Sequence, residues 1–70
     1  MVKFSITVKS PVGTFEGNVQ ELDENRFKEL QKFLEELDKA QYLSLECGSS
    51  TIYFQSEIVK NSAVILSLWA

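Results

Sequence analysis

Val2-Lys3-Phe4-Ser5-Ile6-Thr7-Val8-Lys9 alternates apolar and polar residues without a break. Val2, Phe4, Ile6 and Val8 therefore share one face, and Lys3, Ser5, Thr7 and Lys9 the other. Period two with β-branched and aromatic residues predicts a half-buried strand. Ser10-Pro11-Val12-Gly13 supplies turn chemistry, because Pro pre-sets φ and Gly tolerates positive φ. The alternation resumes from Thr14 to Val19, with Phe15, Gly17 and Val19 on one side, so a hairpin is predicted over residues 2–19. Gly17 in mid-strand marks a bulge or a place where a bulky neighbour lies across the backbone.

The period changes at Leu22-Asp23. Asp23 suits an N-cap, and Leu22 before it can staple onto Phe27 one turn later. Glu24 in the first turn complements the helix dipole. Phe27, Leu30, Phe33, Leu34 and Leu37, extended by Ala40, recur at spacings of three and four. They make one apolar stripe on a helix over about 24–40. The opposite face is polar: Lys28, Glu29, Gln31, Lys32, Glu35, Glu36, Asp38 and Lys39. Glu24 to Lys28 and Glu35 to Lys39 are placed for i,i+4 ion pairs.

Alternation returns in Tyr42-Leu43-Ser44-Leu45-Glu46-Cys47 and, after Gly48-Ser49-Ser50, in Thr51 to Gln55. Strands are predicted over 42–47 and 51–55. Ser56–Asn61 reads either as a loop or as one helical turn capped by Ser56. Residues 62–69 are apolar on both faces, which places that strand in mid-sheet or at a subunit interface. The expected fold is α+β: an antiparallel sheet of about five strands, one helix across one face, order β-β-α-β-β-β, in a single domain over 1–70.

Composition narrows the function classes. Seventy residues make one small core of modest net stability. No histidine is present, so the usual general base and the commonest transition-metal ligand are both missing. The lone Cys47 has the buried phase of Leu43 and Leu45 and reads as a packing residue. Gly13, Gly17 and Gly48 form no phosphate-cradling loop, and no Ser-based nucleophile motif occurs. Glu21, Asp23 and Glu24 are close together, but helix capping and dipole compensation account for them. The expectation is a non-enzymatic protein with no cofactor, no metal and no evident small-molecule substrate. The absence of an apolar leader, of a ~20-residue apolar span and of paired cysteines points to a soluble cytoplasmic protein.

The net charge of −3 argues against a nucleic-acid backbone or an anionic membrane as partner. Tyr42 and Tyr53 share the phase opposite the apolar faces of their strands, as base-stacking sheets require, but the supporting basic residues are lacking. The charge is unevenly spread. Eight acidic and three basic residues lie between Glu16 and Asp38, a local −5; the rest carries two acidic and four basic, a local +2.

Two surfaces follow. Tyr53, Ile65 and Trp69 are expected on the sheet face that the helix leaves bare, where exposed aromatics mark an association surface. That arrangement predicts a homodimer or an assembly partner, unless Ser56–Asn61 folds over Trp69. The alternative uses the acidic helix face, with Glu29, Glu35 and Glu36, to dock on a basic, nucleic-acid-handling protein. That would be the role of a compact acidic inhibitor, of a kind a phage could encode.

Overall fold

Nine consecutive residues, Val2–Ser10, form β1, and every strand of the main sheet pairs with it. The computed structural model describes residues 1–69, the side chain of residue 38 excepted. Ala70, the last residue of the expected domain, and the Asp38 side chain, expected on the polar helix face, lie outside the described residues. After β1 come β2 (Gly13–Glu16), β3 (Gln20–Leu22), α1 (Glu24–Glu35), β4 (Tyr42–Cys47), β5 (Ser50–Gln55), α2 (Ser56–Lys60) and β6 (Ala63–Leu68). A 3₁₀ turn at Leu37–Lys39 links α1 to β4. The expected class holds: α+β, with antiparallel sheets and one main helix.

The strands do not form one sheet of five. β2 and β3 pair in tandem with one edge of β1, Val8 opposite Phe15 and Lys3 opposite Glu21. β6 takes the other edge, Ile6 opposite Leu66, completing a four-stranded sheet. β4 and β5 pair only with each other, Leu45 opposite Ile52. The strand predicted through Val19 stops at Glu16, because the chain turns at Gly17–Val19 before β3. Gly17 N–H still reaches the Ile6 carbonyl at 2.8 Å, but Asn18 N–H instead donates to Glu46 O at 2.9 Å. The Asn18 side chain also brackets the β4–β5 turn: Nδ2 donates to Gly48 O, and Oδ1 accepts from Gly48 N–H, each at 2.9 Å. This one residue thus ties the hairpin to the main sheet.

One face of the main sheet holds the core. Phe4, Ile6 and Val8 meet Phe27 from α1, Leu43, Leu45 and Phe54 from the hairpin, and Val59 from α2. Phe4 and Phe27 rings lie 5.4 Å apart, and Phe15 and Phe54 rings 5.3 Å. α1 and the hairpin therefore share the covering of the same sheet face. Asp23 caps α1 as expected, its Oδ1 accepting from Arg26 N–H at 2.8 Å. The helix ends five residues before the predicted limit. At Glu36 the N–H turns to Phe33 O in a tighter step, and Ala40 is already extended, feeding β4. Glu35 and Lys39 then no longer sit on one helix, and among the described residues neither expected i,i+4 ion pair forms. The pairs present are Lys3–Glu21 at 3.6 Å across β1 and β3, and Arg26–Asp23 at 3.8 Å. Ser56–Asn61 resolves as a short helix, Ser56–Lys60. No helix among the described residues is long and apolar enough to cross a membrane.

β6, expected in mid-sheet, is an edge strand. The tandem of β2 and β3 occupies the far side of β1, so among the described residues β6 pairs with β1 alone and its second edge is free. An apolar run on both faces here reflects exposure, since Ala63, Ile65 and Leu68 all reach solvent.

Candidate interaction surface

The register of β6 on β1 decides what its free edge offers. Ser5 lies opposite Ser67, Thr7 opposite Ile65 and Phe4 opposite Leu68. Past the strand end, Trp69 N–H donates to the Lys3 carbonyl at 2.9 Å. Directly opposite residues in an antiparallel ladder alternate between hydrogen-bonded and non-hydrogen-bonded pairs. With Trp69 bonded to Lys3, the odd residues Ile65 and Ser67 also point their N–H and C=O groups at β1. The corresponding groups of Val64, Leu66 and Leu68 point away from β1, at the free edge.

Side chains follow the complementary phase. Ile65, Ser67 and Trp69 project from the sheet face opposite the core; Val64, Leu66 and Leu68 project on the core side. Trp69 swings back across β1, and its indole Nε1–H donates to Ser5 Oγ at 2.9 Å. That contact explains why Ser5, polar and on the outer face, is buried. Trp69 itself stays 53% exposed, beside Ile65 at 39% and Leu68 at 69%. The short α2 does not cover the indole. On the core side, Val64 and Leu66 meet Leu34, Gln31 and Glu35 of α1 around an open hollow of about 230 Å³.

Of the residues predicted to form one apolar face, Ile65 and Trp69 share the outer face of β6, whereas Tyr53 stands elsewhere. It lies on β5, opposite Ser44, with its ring 6.1 Å from that of Tyr42 on the outward face of the hairpin. The separation follows from the split into two sheets. The β5 edge is also free, but its outward face is mainly polar, carrying Thr51 and Gln55 beside Tyr53. Leu68, more exposed than Ile65, was not singled out by sequence reasoning, because its core-side phase predicts burial. The sequence carries no signal for its exposure, since Leu68 shares its phase with Val64 and Leu66.

The acidic candidates Glu29, Glu35 and Glu36 are all exposed, the first two on α1 and the third as its C-cap. Lys28 and Lys32 are interspersed with them, so the helix surface is mixed in sign. Phe33, expected in the buried stripe, is 42% exposed and lines a larger groove of about 580 Å³. That groove opens between β3 and β4, with Leu22 and Leu30 beside Phe33 and with Tyr42 and Ser44 opposite. Glu46 is the one ionisable carboxylate among its lining residues. Cys47 is half-buried and faces inward with Leu43 and Leu45.

No protein-family model matches the chain, and no curated protein or solved structure matches it.

Proposed function

We propose that this chain is a small, non-enzymatic assembly module that self-associates through the apolar surface of β6. One observation carries the reading: β6 is a free-edged strand of six residues with no charge, and Ile65, Leu68 and Trp69 stand exposed on and beside it. Edge strands of stable monomers are ordinarily protected by charge, proline, bulges or a covering element. In the tandem strands on the opposite edge, Glu16 and Glu21 supply such charges; along β6 nothing does. Lys60 is the last charged residue before the strand. Tryptophan is among the residues that carry most of the energy of association. A core as small as this one also gains most from being enlarged by a partner.

The test is solution mass by light scattering over a wide concentration range. A mass above that of one chain, lowered by Trp69→Ala, supports the reading. A mass of 8.0 kDa at every concentration would sink it.

A further inference from the structure

We infer that the partner is a second copy of this chain, joined by antiparallel pairing of β6 with β6 about a two-fold axis at Leu66. The inference rests on the self-association proposed above and specifies its geometry. The free edge presents the N–H and C=O groups of Val64, Leu66 and Leu68, and each needs a partner if the edge is removed from water. Under two-fold symmetry, antiparallel strands pair residues whose numbers have a constant sum. Only even-numbered residues point outward here, so they must pair among themselves. Placing Leu66 opposite the partner's Leu66 also puts Val64 opposite the partner's Leu68, and the reverse. All the outward N–H and C=O groups of these three residues are then used. A shift of the axis to Ile65 would instead set Leu68 opposite the partner's Ser62, whose N–H is already donated to Val59 O at 3.1 Å.

The side chains agree with that register. On the core side, the partner's Leu68 arrives opposite Val64, which lines the hollow of about 230 Å³ with Leu34 and Leu66. Leu68 is 69% exposed in the single chain and is an apolar knob of suitable size. Symmetry fills both hollows at once. On the outer face, Trp69 comes to lie opposite the partner's Ala63, a small residue that leaves room for an indole, and Ile65 comes opposite the partner's Ser67. The paired strands are uncharged, so no like charges meet directly across the ladder although each chain carries −3.

Residue-resolved amide hydrogen exchange, read beside solution mass, tests the geometry. Ile65 and Ser67 amides bond to β1 and should exchange slowly at all concentrations. Val64, Leu66 and Leu68 amides should exchange freely in dilute protein and slow by about tenfold or more as the mass doubles. Doubled mass with these three amides still exchanging freely overturns the strand pairing and leaves association through another face. Mass of a single chain at every concentration overturns both. Leu68→Asp supplies an independent arm. The residue is exposed in the single chain, so the variant folds; a carboxylate brought to the partner's hollow, which Glu35 also lines, should weaken association by about a hundredfold. Unchanged association of L68D would count against the geometry.

Discussion

Leu45 lies across the backbone of Gly17: its Cδ1 stands 2.6 Å from where a β-carbon on residue 17 would be, and the Ile6 carbonyl oxygen stands 2.8 Å from the same point. The glycine is required by close approach, since the backbone must let a buried leucine of β4 reach the core from the hairpin. Gly17→Ala should destabilise the fold by about 1–3 kcal/mol, through overpacking against a side chain and a carbonyl that have little room to move. Chemical denaturation measures the loss. In a double-mutant cycle with Leu45→Ala, the two losses should sum to more than the double variant shows, because removing Leu45 frees part of the space. Strict additivity would mean that the two residues do not press on each other.

Asn18 is the second point of attachment between hairpin and sheet. Asn18→Ala removes both side-chain bonds to the Gly48 main chain and should cost about 1–2 kcal/mol, reduced toward the lower value by their exposure. The more telling measurement is local. Amides of β4 and β5 should exchange faster in the variant, while those of β1 paired with β6 keep their rates. Asn18→Asp should be no better, because the carboxylate can accept from Gly48 N–H but meets the Gly48 carbonyl oxygen without a proton to donate.

Asp23 holds the start of α1 through a single charge-assisted bond to Arg26 N–H. Asp23→Ala should lower stability by about 1 kcal/mol and fray the first turn, seen as reduced helical circular dichroism. Asp23→Ser, which also caps, should restore most of the loss. If serine fails where alanine fails, the Arg26–Asp23 ion pair rather than the cap is what matters.

Trp69, the only tryptophan, reports on its own surroundings. Its half-exposed indole should emit at long wavelength in dilute protein, then shift to the blue as association removes water from β6. About 1 M salt should leave that shift intact or favour it, since apolar burial is not screened. An association carried instead by Glu29, Glu35 and Glu36 on a basic surface would weaken in the same salt, and no blue shift would accompany it.

Much of the architecture is legible in periodicity alone. The alternation of β1, the Asp23 cap and the turn at Gly48 each mark an element where expected, and the apolar stripe beginning at Phe27 marks the helix, although α1 stops at Glu35. What periodicity does not encode is which strand edges meet. Val64 to Leu68 carries an apolar pattern that fits a central strand as well as an unprotected edge; pairing partners decide between them, and these lie at the far end of the chain. Tyr53 illustrates the same limit. Its outward phase was readable, but whether that face is continuous with Ile65 depends on the break at Gly17–Val19. The sequence marks that break only by a glycine, whose reason is a leucine nearly thirty residues away.

The two edges of β1 are filled at very different times. β2 and β3 follow it within the next dozen positions, and they can zip onto one edge while the rest of the chain is still being synthesised. The opposite edge waits for β6, with Ser5 and Trp69 brought together from 64 positions apart. Closing that ladder joins the most distant strands of the fold and carries its largest single loop-closure cost, so it is the step that should limit the folding rate. Until it closes, β1 presents an open edge above an unfinished core. Lys3 and Lys9, near its two ends, are placed to keep that edge from pairing with another nascent chain.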